Sequence, residues 1–296
     1  MTDDNTMRVK VRTSAPLKEV AHALTDAAEL RVWLAEHAEV DLPRRYAFWG
    51  RHTPDGAEPR QRPLHVDERA VRFAWTLDGV ETTVEFTLAD EDGGTVVALS
   101  QSDMVPWGDA LAERGVRSVL HTFWALSLAN LVDHVEGRPL TPKVDFTSPQ
   151  MRAEVLIDAS RDKVYASLVE AEQFERWFGA KVGIEAHVGG RFAMGGFDLE
   201  PNPARVVALE PGRSMSIAWG DAFVSTWELE DSGGKTRLTF VQSGFDPQHP
   251  PYGGWAGWLG GVAELRRYHE LPGWRPTWVA LDTPGVSEEM LTIPKG

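Results

Sequence analysis

The chain predicts an α+β protein built from one small domain used twice, each copy a curved antiparallel sheet wrapped around a long C-terminal helix. Three observations predict it. An internal repeat holds register over most of the length, each copy runs strand, helix, several alternating strands and long helix, and a stretch rich in proline separates the copies.

The repeat is read residue against residue. Val11 falls on Val155, Val20 on Val164, Leu24 on Leu168, Leu30 on Phe174, Trp33 on Trp177, Phe48 on Phe192 and Trp75 on Trp219, all 144 positions apart. The offset then slips to 141, pairing Thr95 with Thr236, Gln101 with Gln242 and Ser102 with Ser243. The closing helices match Trp124 to Trp258 and Leu131 to Leu265. Matched tryptophans held over such a length point to duplication. The expected organisation is a first domain at 7–137, a linker at 138–150, a second domain at 151–271 and a tail at 272–296. Pro139, Pro142 and Pro149 break regular structure in the linker. Trp274 and Trp278 in the tail predict that it packs on the second domain.

Each copy opens with a period-two strand, Val9, Val11 and Thr13 alternating with Lys10 and Arg12, matched by Ala153, Val155 and Ile157. A helix follows with Ser14 or Ser160 as the expected N-cap and an acid in its first turn, where the helix dipole favours negative charge. The inward strand rows are Val71, Phe73 and Trp75, then Val84, Phe86 and Leu88, then Val97, Leu99 and Gln101. Met215, Ile217 and Trp219, then Ser225, Trp227 and Leu229, then Leu238, Phe240 and Gln242 repeat them. Asp90 to Gly94 and Ser232 to Gly234 read as turns. Leu120, Trp124, Leu128 and Leu131 give the closing helix an apolar stripe, as do Trp255, Trp258, Leu259, Val262, Leu265 and Tyr268.

Composition narrows the function. The 296 residues carry a net charge of −14, with 16 Lys/Arg against 24 Asp/Glu through residue 148 and 14 against 20 beyond it. Neither half offers the basic face of a nucleic-acid binder. The absence of cysteine excludes disulfides, thiolate nucleophiles and cysteine metal sites. No apolar run is long enough to span a membrane, and the acidic start Met1-Thr2-Asp3-Asp4 lacks the character of a secretory signal, so a cytoplasmic location is expected. Nine histidines show no metal-ligand spacing and no motif calls for a cofactor, so none of either is expected.

Several segments carry a resemblance: Ala159-Ser160-Arg161-Asp162-Lys163-Val164-Tyr165, Phe174-Glu175-Arg176-Trp177-Phe178, Val188-Gly189-Gly190-Arg191-Phe192, the run from Thr236 to Phe245, and Gly254-Trp255-Ala256-Gly257-Trp258. With them the chain resembles the helix-grip fold of the START, polyketide cyclase and birch-pollen-allergen superfamily (SRPBCC). Within it, the chain resembles the family homologous to the activator of the 90-kDa heat-shock protein ATPase. The first copy matches more loosely, with Arg44-Arg45-Tyr46 in place of Gly189-Gly190-Arg191 and Asp103-Met104 in place of Gly244-Phe245. The resemblance implies a cavity between sheet and long helix that takes apolar or aromatic small molecules. It implies no single catalytic constellation, because such folds host binders and enzymes alike.

The candidate ligand-binding residues are therefore Trp219, Trp227, Gln242, Trp255, Trp258 and Tyr268 in the second copy and Trp75, Gln101 and Trp124 in the first. A glutamine that continues a buried row needs a partner, either a ligand or a neighbouring protein group. Inward tryptophans line a pocket or simply fill a core. Gly260-Gly261 inside a helix costs about 1 kcal/mol per residue against alanine, which suits the close approach of a ligand or another backbone. His52 and His121 read as surface or capping groups more readily than as acid–base groups, and Arg51 and Arg191 as ion-paired strand residues. The preferred reading is binding of an apolar or aromatic small molecule, with a stress or regulatory role. Its rivals are an aromatase/cyclase-type enzyme using Gln242, Tyr268 or His52, and a chaperone-associated interaction module that stimulates an ATPase.

Overall fold

The computed structural model describes residues 5–91, 93–112 and 115–295. The acidic start Met1 to Asp4 and Asp92 of the first turn lie outside them.

The first unit runs β1 (Met7–Thr13), α1 (Leu17–Thr25), α2 (Ala27–Trp33), β2 (His37–Asp41), β3 (Arg45–Trp49), β4 (Gln61–Val66), β5 (Ala70–Leu77), β6 (Val80–Glu91), β7 (Gly94–Gln101), α3 (Trp107–Ala110) and α4 (Leu120–Val135). The second runs β8 (Arg152–Ile157), α5 (Arg161–Val169), α6 (Ala171–Phe178), β9 (Val182–Ile184), β10 (Arg191–Met194), β11 (Ala204–Glu210), β12 (Ser214–Trp219), β13 (Phe223–Ser232), β14 (Lys235–Ser243) and α7 (Tyr252–Glu270). β15 (Trp278–Asp282) follows. The second sheet is ordered β8-β14-β13-β12-β11-β10-β9 and the first β15-β1-β7-β6-β5-β4, with β2 and β3 a separate hairpin. All pairings are antiparallel, and each sheet buries the face that carries its apolar row. The α+β architecture of two tandem helix-grip units is thus as the sequence predicts.

The repeat survives at the level of single hydrogen bonds. Trp33 Nε1 donates to the Ala23 carbonyl at 2.9 Å and Trp177 Nε1 to the Ser167 carbonyl at 2.9 Å. Thr95 Oγ1 donates to the Ala15 carbonyl and Thr236 Oγ1 to the Ala159 carbonyl, both at 2.8 Å. Asp103 replaces Gly244 yet keeps its left-handed backbone, with φ of 55° against 84°, a conformation aspartate tolerates better than most residues.

Helix starts differ from expectation. Pro16, not Ser14, is the N-cap of α1, and Ser160 holds the N-cap position of α5 without a side-chain capping bond. Proline fixes φ for a helix entrance without offering a cap acceptor. The first helical segment also breaks at Asp26, whose carboxylate accepts from the amides of Ala28 and Glu29 and so starts α2.

The tail corrects the sequence reading in part. Trp274 Nε1 does donate to Glu264 in the second unit at 2.8 Å. But β15 leaves that unit and pairs with β1, Arg8 opposite Asp282 and Val9 opposite Leu281, completing the first sheet. The chain then returns, and Lys181 N donates to the Met290 carbonyl and Thr292 N to the Gly179 carbonyl. A short apolar strand satisfies an open edge wherever it lies, so its tryptophans alone do not say which sheet it joins.

The long helices α4 and α7 pack against each other as well as on their own sheets, which is why both are buried around much of their circumference. A Cβ on Gly260 would lie 3.4 Å from the Leu126 amide nitrogen, so this glycine admits a neighbouring backbone. A buried ion cluster joins the helices near their ends. Asp133 accepts from Arg266 at 2.6 Å and Arg267 at 2.8 Å, with Arg138 Nε at 3.4 Å. Arg267 also reaches Glu136 at 2.8 Å, and Arg138 reaches Glu270.

Candidate functional site

The two inward glutamines were aligned by sequence, but their surroundings differ. Gln101, at the end of β7, is fully buried; its Nε2 donates to Thr82 Oγ1 at 3.0 Å and its Oε1 accepts from Trp124 Nε1 at 2.5 Å. Both ends of the amide are spent inside the protein. Trp124 lies edge-on to Trp75 at 5.9 Å and to Phe86 at 5.5 Å, and Trp75 lies edge-on to Phe48 at 5.2 Å. In the first unit Trp75, Gln101 and Trp124 come together as a ring-packed, self-satisfied core.

Gln242, at the end of β14, is equally buried, and its Nε2 donates to Ser225 Oγ at 3.2 Å. The same hydroxyl accepts from Trp219 Nε1 at 3.1 Å. Gln242 Oε1 has no hydrogen-bond partner, nor does Trp227 Nε1, among the described residues. Turning the amide over would only exchange which of its ends is left unpaired. Ser225 stands opposite Gln242 in the β13–β14 register, and Trp227, two residues further along β13, points to the same inner face. That diagonal places the residues roughly 7 Å apart. An acceptor and a donor are therefore held on one buried wall without partners, each costing about 1–3 kcal/mol if left so.

Around this wall the second unit brings together three of its four other predicted residues. Trp258 meets Trp227 edge-on at 4.9 Å and Trp219 at 6.0 Å, while Trp255 stacks on Phe240 at 5.1 Å. Trp219, unlike Trp75, is only half-buried and leans on Phe223 at 6.1 Å, at the C-terminal end of β12. Tyr268 does not join the group. It lies ten residues along α7 from Trp258, about 15 Å at helical rise, and packs on Trp274 at 5.0 Å.

The other polar residues singled out by sequence have structural partners. Arg51 pairs with Glu36 at 3.3 Å and Arg191 with Glu185 at 2.6 Å, which pulls the Glu185 carboxyl down to about 2. His52 Nδ1 meets the Val144 carbonyl at 2.8 Å and His121 Nε2 the Val105 carbonyl at 2.7 Å; burial lowers the pKa of both rings. Two features went unread in the sequence. His22, Asp26 and Glu29 bring one ligand atom each within 4.8 Å of one another, although Asp26 already caps α2 and Glu29 already accepts from His134 at 2.6 Å. Lys143 Nζ donates to the carbonyls of Arg31, Val32 and Ala35 at the end of α2, and burial pushes its pKa down to about 8.

A groove of about 780 Å3 runs between the units. Its walls come from Val116 and Val119 of the first unit, Phe146 of the connecting segment, and Phe223, Phe245 and Tyr252 of the second. These residues share no local pattern; only the packing of one unit on the other assembles them.

A curved antiparallel sheet closed by a long helix, twice over, with a polar-tipped aromatic wall beneath the helix, defines a helix-grip protein of the SRPBCC type. The family model described as "Activator of Hsp90 ATPase homolog 1-like protein" matches residues 14–136 and again 158–270, and the chain belongs to that family. No curated protein matches the chain. Among solved structures it is similar to EF2215 from Enterococcus faecalis, a conserved protein of unknown function, at 24% identity over 43% of this chain and 74% of that one, with a TM-score of 0.36. CalU16 from Micromonospora echinospora is 23% identical over 45% of this chain and 76% of that one, TM-score 0.36. DynU16, from the dynemicin biosynthetic locus, is 18% identical over 90% of this chain and 100% of that one, TM-score 0.37. No helix among the described residues is long and apolar enough to cross a membrane.

Proposed function

We propose that the second unit binds an apolar or aromatic small molecule beneath α7, held by Gln242 Oε1 and Trp227 Nε1 and walled by Trp219, Trp255 and Trp258, while the first unit serves as its structural partner. The observation that carries this reading is the contrast between the repeats. In the first, Trp124 and Thr82 satisfy both ends of the Gln101 amide; in the second, one end of the matching amide is unpaired, as is the Trp227 indole N–H on the same wall. To reach either group a ligand would have to part the rings of Trp227, Phe240, Trp255 and Trp258, which are buried and pack on one another. Apolar burial would supply most of the affinity, at roughly 25 cal/mol per Å2, with the two polar groups setting orientation.

The aromatase/cyclase reading gains no support from the geometry, because Tyr268 packs on Trp274 and His52 on the Val144 carbonyl, neither in contact with Gln242.

The test is a tryptophan-fluorescence titration with 2-naphthol, alongside native mass spectrometry of the protein purified from its host. Gln242→Leu should weaken 2-naphthol binding about 2- to 12-fold, the worth of one hydrogen bond, without lowering the melting temperature. Gln101→Leu should leave binding unchanged. Equal affinity in the Gln242→Leu variant and the parent removes the site.

A further inference from the structure

We propose that the groove between the two units is a second, separate binding site, for a flat apolar small molecule that carries a positive charge. This inference does not depend on the interior site of the second unit.

Size is the first argument. About 780 Å3 falls within the range of roughly 300–1,000 Å3 typical of small-molecule sites, which are concave and mostly apolar. The surface is apolar on both sides, and Leu111 of the first unit stands on it as a largely exposed aliphatic side chain. The aromatic members are mutually braced rather than loose. Phe146 packs on Tyr252 at 5.2 Å, Tyr252 Oη donates to the Ser148 carbonyl at 3.2 Å, and Phe223 rests on Trp219. Braced rings present fixed faces to a flat ligand at little cost in side-chain entropy.

Charge is the second argument. Among the described residues the lining contains two carboxylates, Asp55 and Asp246, and neither lysine nor arginine. Asp55 is already paired with Arg60 at 3.3 Å. Asp246 accepts from the Gln248 amide at 2.9 Å and faces His249 Nδ1 at 2.9 Å, contacts that hold its carboxyl below the usual range and keep it ionised. An anion placed here would meet Asp246, with no lysine or arginine among the described lining residues to offset it. A delocalised cation would be drawn to the carboxylate and, over a ring face, to the negative quadrupole of Phe223, Phe245 or Tyr252. The net charge of −14 adds a long-range field of the same sign. Sign selectivity combined with an aromatic floor therefore distinguishes this groove from a generic sticky surface.

The experiment uses two fluorescent dyes of similar size on the full chain at 0.15 M salt: thioflavin T, which is cationic and flat, and 1-anilinonaphthalene-8-sulfonate, which is anionic. Thioflavin T should saturate a single site at least tenfold more tightly than the sulfonate. Asp246→Lys should weaken thioflavin T at least tenfold and strengthen the sulfonate, and Phe223→Ala should weaken thioflavin T at least fivefold. Gln242→Leu should leave thioflavin T within twofold of the parent, which separates this site from the interior one. If Asp246→Lys fails the circular-dichroism test of folding, Asp246→Asn replaces it, with an expected three- to fivefold loss. Equal binding of the two dyes, or unchanged thioflavin T affinity on changing Asp246, overturns the proposal.

Discussion

Asp133→Ala is the sharpest test of how the two units are held together. The carboxylate is fully buried where α4 crosses α7 and accepts from Arg266 and Arg267, with Arg138 close by. Removing one partner of a buried pair typically costs 3–5 kcal/mol, because the charge left behind stays desolvated. Each arginine here keeps another acceptor: Arg267 retains Glu136, Arg138 retains Glu270, and Arg266 retains the Pro139 carbonyl. The loss should therefore fall at the low end, about 3 kcal/mol. At about 2–4 °C per kcal/mol for chains of 150–250 residues, the melting temperature should drop by about 6–12 °C or somewhat less for this longer chain. Urea unfolding followed by circular dichroism measures the free-energy loss and a thermal scan the melting temperature, with Glu81→Ala as the control. Glu81 pairs with Arg62 at 3.2 Å, but both are about 60% exposed, so the control should change stability by less than about 0.5 kcal/mol. An Asp133→Ala loss below about 1 kcal/mol, or no larger than the control, would refute the view that this cluster clamps the units together.

Two further outcomes follow from the same structure. Gln101→Leu removes the acceptor of Trp124 Nε1 and should destabilise the protein by about 1–3 kcal/mol in urea unfolding, whereas Gln242→Leu should be near neutral because its amide is already half unpaired. Burial and the nearby Lys163 push His269 down to about 4, so its ring is neutral in the folded state over a range where the unfolded chain binds a proton. Stability should then fall as pH drops from about 6.5 toward 4, by at most about 3 kcal/mol and by less to the extent that the ring is partly solvated. His269→Gln should flatten that slope in urea titrations; an unchanged slope would assign it to other groups.

Much of the fold could be read from the sequence because tryptophans and strand alternation are local signals. Trp33 and Trp177 stand out at matched positions, and the rows ending in Gln101 and Gln242 alternate cleanly. What the glutamines bond to could not be read. Trp124 lies 23 residues from Gln101 along the chain, and its repeat partner Trp258 turns its ring onto Trp227 and Trp219 instead. Ser14 does not cap α1, because Pro16, two residues on, takes the N-cap position. Asp133 and Arg266 carried a usable hint, charges on apolar helix faces, but no spacing rule reveals that the two faces meet. The groove carried no hint, since its walls come from segments that converge only after both units fold.

The strand β15 has a consequence for how the molecule is made. It is the edge partner of β1, yet it follows every strand of the second unit. During synthesis the first sheet must keep a bare backbone rim through the whole emergence of the second unit, at rates of roughly 5–20 residues per second. The first sheet is thus completed only after the second unit has been made, and any nascent chain released before Trp278 leaves the ribosome with an unpaired strand ready to recruit a neighbour.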